Sequence, residues 1–225
     1  MAGVVIAVSR YHSPMAGKAP EAVTGPKRLS ADRRREQLLE VALKVFAERG
    51  FNSTTMDDIA ERAGVTKPLL YQHFDSKRAL YLELVDSVAH TMLEAIEKAV
   101  AAAEGPRQQV ESGFAAYFEV VVTHADAFNL LFGSDVPNDA EMSSAVRRVE
   151  DSMAEYIDVL IDAGLDEDHR RLLAYAVVGM AEGASRHFLA RRDPSAGDPH
   201  GTEAGRLARR LGDLAWAGLR SVHRD

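Results

Sequence analysis

The stretch 54–74, TTMDDIAERAGVTKPLLYQHF, most constrains the fold, because it predicts two short helices joined by a tight turn. Gly64 lies where the turn needs a left-handed residue, which glycine adopts without the steric penalty of a Cβ atom. Thr54 is expected to cap the first helix together with Asp57, and Thr66 to cap the second. This arrangement is typical of a helix-turn-helix and therefore predicts DNA binding.

The second of these helices carries more polar and aromatic side chains than packing requires. Leu70 and Phe74 are its expected core anchors, and Pro68 fits its first turn, where no intrahelical amide bond is lost. The surrounding side chains are Lys67, Leu69, Tyr71, Gln72 and His73. Such a helix is suited to contacting a partner through its exposed face, although simple packing is an alternative for Tyr71.

Spaced residues around this stretch resemble the N-terminal pattern of the TetR family of bacterial regulators. The matching positions are Gly50, Thr54–Thr55, Ile59–Ala60, Ala63–Gly64–Val65, Tyr71–Gln72–His73–Phe74 and Lys77. The resemblance is close over about residues 33–84 and elsewhere extends only to a plan of helices. It implies an all-α protein with a helix-turn-helix DNA-binding domain of three helices (30–76) and an effector-binding and dimerisation domain (77–225). The preceding residues, 1–29, are rich in Ala, Gly, Pro and Ser without sustained periodicity and are interpreted as a flexible arm.

The family pattern and the geometry of a helix-turn-helix together assign DNA contacts, and they imply a double-stranded operator as partner. Phosphate contacts are expected from Thr55, Tyr71, His73 and Lys77, and base-edge contacts from Lys67, Pro68, Leu69 and Gln72, with Thr66 at the start of the same helix. Lys67 suits guanine, Gln72 suits adenine and Leu69 suits a thymine methyl group. The operator sequence does not follow from these residues.

Charge is divided unequally along the chain. The formal net charge of −7 alone argues against binding a polyanion. However, residues 1–80 carry +4 and the remaining 145 residues carry −11. The basic N-terminal part is suited to contact with DNA phosphates, whereas the acidic remainder of the chain would be repelled by them. Cations at the start of the first helix, Arg33, Arg34 and Arg35, are further candidates for phosphate or minor-groove contact, with solvated charge as the alternative.

Apolar residues recur at helical spacing along the rest of the chain, and no segment reads as a strand. Leu38, Ala42 and Phe46 mark a helix over about 31–49 that Gly50 ends. Breaks between the later helices are expected at Gly105–Pro106, Pro137, Gly164 and 193–199.

The last two helices carry small or apolar side chains on more than one face. Since a helix covered on two sides needs two partners, a self-complementary homodimer contact is the expected second one. The family resemblance implies the same, as a four-helix bundle. The proposed interface residues are Val177, Ala181, Ala184, Phe188, Leu207, Leu211, Leu214 and Gly218. A dimer would place two recognition helices on half-sites about 34 Å apart or more.

A small-molecule effector is expected in the C-terminal domain, apolar with a polar head. The candidate lining is aromatic and rich in methionine: Met92, Phe114, Tyr117, Phe118, Val121, Phe132, Met153 and Met180. Glu182, Arg186 and His187 are candidates for a polar end. Ordinary core packing is the alternative for each lining residue, and Glu182 with Arg186 also has the spacing of a surface ion pair.

Two segments loosely resemble an actinobacterial subgroup of TetR regulators, of which some members respond to long-chain acyl-CoA and control lipid genes. They are FNLLFGSD at 128–135 and AVVGMAEGASRHFLA at 176–190. The first hypothesis is a repressor released from its operator by its effector. The alternative is an activator of lipid metabolism that responds to long-chain acyl-CoA.

The sequence gives little support to the hypothesis that the chain is an enzyme. The histidines show no H-x-x-x-H or H-E-x-x-H spacing, and the chain has no glycine-rich phosphate loop or nucleophile elbow, so neither a metal nor a cofactor is predicted. The acidic run 166–168 beside His169 fits the first turn of a helix better than a metal site. A structural helical dimer with an incidental helix-turn-helix is a second alternative, and it would show no salt-dependent DNA affinity.

The sequence also indicates location. The apolar opening MAGVVIAV is too short to span a bilayer and lacks a basic flank, so no membrane partner is expected. The absence of cysteine fits a reducing cytoplasm. A cytoplasmic protein is therefore expected, with Met15 as an alternative start to Met1.

Overall fold

The computed structural model describes residues 31–132, 140–161, 164–191 and 202–222, and every regular element within them is an α-helix. The helices are α1 (Ala31–Ser53), α2 (Met56–Arg62), α3 (Lys67–His73), α4 (Lys77–Ala101), α5 (Pro106–Thr123), α6 (Ala125–Phe132), α7 (Ala140–Leu160), α8 (Glu167–Leu189) and α9 (Thr202–Leu219). The all-α class is confirmed. The proposed arm at 1–29 lies outside the described residues.

Glycines end two elements where the sequence predicted it. The backbone of Gly50, with φ of 74° and ψ of 163°, interrupts α1, so that the last turn of this helix is separate. Gly64 has φ of 63° in the turn between α2 and α3. Both values lie in the region that side chains with a Cβ atom disfavour. The kink in α1 and the turn after α2 therefore lie at positions where glycine is the least strained residue.

The N-cap of α2 is Thr55, and the expected cap by Thr54 and Asp57 was wrong by one residue. The Thr55 hydroxyl accepts the Asp58 amide at 3.2 Å, and the Asp58 carboxylate accepts the Thr55 amide at 2.8 Å. These bonds from Thr55 hold the pKa of Asp58 below its usual range. Thr54 is buried and donates its hydroxyl to the Gly50 carbonyl at 2.7 Å, which satisfies the end of α1.

Helices α1–α3 form a head, and α4–α9 form a body. Apolar side chains from all three head helices are buried in one core: Leu38, Ala42, Phe46, Ile59, Leu70 and Phe74. This core continues into the body through an aromatic cluster, in which the rings of Phe46 and Phe51 meet Tyr81 of α4 edge to face at 5.4 and 5.0 Å. The head is thus packed directly on the start of α4.

Helix α5 lies at the centre of the body, between α4 and α9, while α7 packs on α8 and α4. Helix α6 packs against α1 of the head and also contacts α4 and α5 of the body. Because α5 leads directly into α6, the interior of the body and the head are joined by two consecutive helices.

Candidate nucleic-acid interface and ligand cavity

Helix α3 presents the surface that the sequence predicted for DNA. Thr66, Lys67, Pro68, Tyr71 and Gln72 are exposed, and Leu69 and His73 are half-buried, with Thr55 also exposed at the start of α2. We call these residues the recognition surface. Tyr71 is 42% exposed, whereas its neighbours Leu70 and Phe74 are 0% and 2% exposed. Burial of the two anchors orients α3 so that its polar face points outward.

Lys67 already has a partner within the head. Its ammonium lies 2.8 Å from the carboxylate of Asp57 in α2, and this hydrogen bond raises the pKa of Lys67. Both side chains are at least half exposed. To contact a guanine, Lys67 would give up its ion pair with Asp57 and bind the base edge instead. Breaking this pair would cost little free energy, because solvent screens it.

Lys77 is held inside the head, which differs from the phosphate contact expected of it. Its ammonium donates to the carbonyls of Phe51 and Thr54, each at 2.7 Å, and lies 4.3 Å from the centroid of the Phe51 ring. Burial lowers the pKa of Lys77. Two of its three N–H donors are thus used to tie the start of α4 to the turn before α2.

Arg35 contributes a contact that sequence reasoning missed. Its guanidinium pairs with both carboxylate oxygens of Glu83 on α4 and donates to the carbonyl of His73 at the end of α3. It also lies 4.4 Å from the centroid of the Phe74 ring. A single side chain thus joins α1, α3 and α4, which the run of three arginines in the sequence did not reveal.

Two further contacts connect α4 with the rest of the body. The Tyr81 hydroxyl donates to the Leu130 carbonyl of α6 at 2.6 Å, and burial raises the pKa of Tyr81 to about 12. Arg78 pairs with Glu141 of α7 at 2.7 Å. The start of α4 is therefore bonded both to the head and to the body helices that follow.

The body contains a partly open cavity of about 610 Å³ between α4, α5, α7, α8 and α9. Its walls are mainly apolar, and its volume falls in the range of small-molecule sites. The lining comprises Leu93, Ile96, Val100, Pro106, Gln109, Val110, Gly113, Phe114, Tyr117, Met153, Tyr156, Ile157, Leu160, Ile161, Val177, Val178, Ala181, Glu182, Ala215, Trp216, Leu219, Arg220 and Val222.

Three of the predicted ligand contacts, Phe114, Tyr117 and Met153, line this cavity. Met92, Phe118 and Val121 are fully buried in the core and do not line the cavity wall. Met180 is half-buried away from the wall, and the side chain of Phe132 lies outside the described residues. Arg186 is exposed and binds Glu182, which does line the cavity. The contribution of α9 was missed, because its apolar residues were read as a dimer contact.

The predicted interface residues separate into groups. Val177 and Ala181 face the cavity, whereas Ala184, Phe188 and Leu207 line a groove between the end of α8 and the start of α9. Leu211 is half-buried, and Leu214 and Gly218 are exposed. The open face of α8 instead carries Leu172, Ala176, Gly179 and Gly183.

The first turn of α8 confirms the helix-start reading of the acidic run 166–168. Asp166 is the N-cap, and its carboxylate accepts the His169 amide at 2.9 Å. Among the described residues, no group of three or more histidine, aspartate or glutamate side chains is arranged to hold a metal ion. In the same part of the chain, no helix combines the length and apolar character needed to cross a membrane.

Comparison with known proteins agrees with this architecture. Residues 38–84 match the family model for bacterial regulatory proteins of the tetR family. The chain is 30% identical over 197 residues to the transcriptional activator FasR of Mycolicibacterium smegmatis, covering 87% of each protein. It is 36% identical over 91 residues to the transcriptional repressor KstR2 of Mycobacterium tuberculosis, covering 40% of this chain and 46% of KstR2.

Among solved structures, the fold is similar to that of the regulator FadR from Bacillus subtilis in complex with stearoyl-CoA. The TM-score is 0.67 at 15% identity, over 81% of this chain and 98% of FadR. A helix-turn-helix head with an exposed recognition surface, a larger helical body and a full-length relative together show that this chain belongs to the TetR family of DNA-binding transcriptional regulators and is not an enzyme.

Proposed function

We propose that the chain is a homodimeric regulator whose recognition surface binds an operator and whose DNA affinity is set by a small amphiphile in the body cavity. The observation that carries this proposal is the cavity of about 610 Å³, which lies between the same helices, α4 and α5, that lead to the head. An apolar guest would gain free energy from the buried surface of this cavity. Filling the cavity would therefore act on both helices.

The proposed direction of regulation is repression relieved by the effector. Activation in response to a long-chain acyl-CoA is the second candidate, because FasR, which matches over 87% of this chain, is an activator, and FadR was solved with stearoyl-CoA. Both directions require binding to an operator, so they share the same test of binding. We also propose that the protein acts in the cytoplasm, where its operator would be found.

Fluorescence anisotropy with the protein's own upstream DNA tests this function. We expect tight, sequence-selective binding that falls steeply as salt rises, because phosphate contacts release condensed counterions. Tyr71→Ala should weaken binding, and stearoyl-CoA should change the affinity of the wild-type protein. If neither the upstream DNA nor a random-oligonucleotide selection returns a preferred sequence, DNA reading is excluded. Selective binding that stearoyl-CoA leaves unchanged would exclude this effector but retain the regulator.

Tyr81→Phe tests the connection between cavity and head. The change removes the hydroxyl that donates to the Leu130 carbonyl, so we expect a loss of about 1–3 kcal/mol in stability from the unpaired carbonyl. Operator affinity without effector should change little, whereas the shift that the effector causes should shrink. Calorimetric unfolding and anisotropy with and without stearoyl-CoA measure the two effects. An effector response equal to that of the wild type would show that this bond does not transmit it.

The proposed dimer uses the open face of α8 in an antiparallel pair. Leu172, Ala176, Gly179 and Gly183 follow one another at intervals of four, three and four residues, which places them on one stripe. A Cβ atom on Gly179 or Gly183 would meet nothing within 4 Å in the single chain, so a second helix can approach closely. Acidic residues in the first turn of α8 and basic residues in its last turn would then face each other across the two-fold axis.

Gly179→Cys tests this register. The natural chain has no cysteine, so the variant carries a single thiol. If Gly179 lies on the two-fold axis, its thiol meets its own copy at disulfide distance, and mild oxidation should give a covalent dimer. Non-reducing electrophoresis measures the yield. Ser87→Cys, on an exposed part of α4, is the matched control and should stay monomeric on the gel. Equal cross-linking of both variants would argue against the proposed pair.

A further inference from the structure

Two pairs of polar side chains line the cavity. Tyr117 of α5 and Glu182 of α8 mark what we call the inner end, and Gln109 near the start of α5 and Arg220 after α9 mark what we call the outer end. Gln109 and Tyr117 are eight residues apart on α5, which corresponds to about 12 Å along the helix axis. The walls between them are mainly apolar, so a ligand with polar groups spaced along a chain can reach both ends.

The inner end offers a hydrogen-bond donor that the protein barely uses. Tyr117 is 6% exposed, and the described partner of its hydroxyl is the Ser185 oxygen at 3.5 Å, a long contact. Ser185 donates its own proton to the Ala181 carbonyl at 2.9 Å. The Tyr117 hydroxyl therefore has no short hydrogen bond among the described residues, and a ligand group in the cavity can supply one, since a buried hydroxyl gains free energy from a good partner.

The inner end also carries negative charge. Glu182 lines the cavity and is held by Arg186, which lies outside it. Glu150 lies close enough that burial and the carboxylates of Glu182 and Asp151 raise its pKa. An anionic ligand group would be repelled here. A neutral hydroxyl group would instead find an acceptor in the Glu182 carboxylate and a donor in Tyr117.

The outer end carries a cation. Arg220 is exposed just beyond the end of α9 and, among the residues that the structure describes, forms no ion pair. By contrast, Arg107 near the start of α5 is occupied by Glu111 at 2.7 Å and by Asp213 at 3.5 Å. Arg220 is therefore the guanidinium at the cavity that is available to a carboxylate or phosphate, the groups that its planar fork fits best.

We propose that the cavity takes a chain-shaped anion that also carries a hydroxyl group, with the anion at Arg220 and the hydroxyl between Tyr117 and Glu182. This inference rests on the effector site proposed above and adds its selectivity. The two ends prevent the ligand from entering in reverse, because its anion would then face Glu182. Substituted chains are thus distinguished from plain fatty acids at the inner end.

The fluorescence of Trp216 provides the readout, because it is the only tryptophan of the chain and it lines the cavity. Dodecanoate, its ω-hydroxy derivative and dodecanedioate are titrated below their aggregation concentrations. The hydroxy acid should bind about tenfold more tightly than dodecanoate, which corresponds to one well-formed hydrogen bond to a charged group. The diacid should bind more weakly than dodecanoate, since one of its two carboxylates must face Glu182.

Three variants assign the effect to the two ends. Tyr117→Phe should remove the preference for the hydroxy acid and leave dodecanoate affinity unchanged. Arg220→Gln should weaken all three acids about tenfold or more. Arg209→Gln, an exposed residue of α9 outside the cavity, is the control and should change none of them.

The outcomes separate the inference from the proposed function. Equal affinity for the three acids, or a hydroxyl preference that Tyr117→Phe leaves intact, would overturn the inference while the cavity remains an effector site. If the three acids and stearoyl-CoA all leave Trp216 fluorescence and operator binding unchanged, both the inference and the effector site are wrong.

Discussion

Replacing Arg35 with alanine will lower operator affinity at least about tenfold, although Arg35 need not touch DNA. Its guanidinium holds the Glu83 carboxylate, the His73 carbonyl and the face of the Phe74 ring, and thereby fixes the end of α3. Hydrogen bonds to a charged group contribute about 1.5–3 kcal/mol, less where solvent screens them as here. Losing them lets α3 shift relative to α1, and a misplaced recognition surface forfeits several contacts at once. Anisotropy on the selected operator and thermal unfolding measure the two consequences.

The neighbouring arginine supplies the control for this prediction. Among the residues that the structure describes, Arg34 bonds only within its own helix, to Gln37, so Arg34→Ala should leave the unfolding temperature unchanged. Glu83→Gln should reproduce part of the Arg35→Ala effect, and the double variant should lose less than the sum of the two single changes. Strict additivity of the two losses would show that the Arg35–Glu83 pair does not position α3.

Lys77→Met will weaken operator binding without changing its dependence on salt. The ammonium of Lys77 satisfies the carbonyls of Phe51 and Thr54, and methionine cannot replace those bonds. The Phe51 carbonyl keeps a bond from the Thr54 amide at 3.4 Å, but the Thr54 carbonyl loses its described partner, which should cost about 1–3 kcal/mol of head stability. A lost phosphate contact would instead reduce the slope of log affinity against log salt by about 1. Anisotropy at several salt concentrations, combined with thermal unfolding, distinguishes the two roles.

Lys67→Met is the matched comparison, because Lys67 is exposed on the recognition surface and its only described partner is the exposed Asp57. Stability should be unchanged in this variant, while DNA affinity falls. A smaller salt slope for Lys77→Met with an unchanged unfolding temperature would restore the phosphate contact that the sequence suggested for Lys77.

The head was predictable because its signals are local. Helix propensity, the left-handed glycine and the apolar anchors act within a few residues of each other, so α2, the turn and α3 follow from spacing alone. The cap was misplaced by one residue because Thr54 and Thr55 are both competent caps. Burial decided between them: the hydroxyl of Thr54 was needed at the end of α1.

The helices of the body were predictable from the sequence, but the residues that line its cavity were not. Met92 and Phe114 share the apolar, helical spacing that marks a core, yet only Phe114 faces the cavity. The sequence predicted that two faces of the helix that carries Trp216 are covered. In the structure, one of these faces lines the cavity. Which face of α9 meets α5 depends on packing between segments a hundred residues apart, and periodicity within one helix carries no information about it. The contacts of Arg35 and Lys77 within the head were not predicted for the same reason.

The length of α4 determines how far a small rotation in the body moves the head. With 25 residues, it is a rod of about 37 Å that begins at the bonds of Lys77 and ends beside the cavity. A rotation of roughly five degrees about one end would displace the other by about 3 Å, comparable to the length of a hydrogen bond. In a dimer, both heads would move at once. A displacement of a few ångströms inside the body can therefore change the separation of the two recognition helices, so that it no longer matches the groove repeat of about 34 Å.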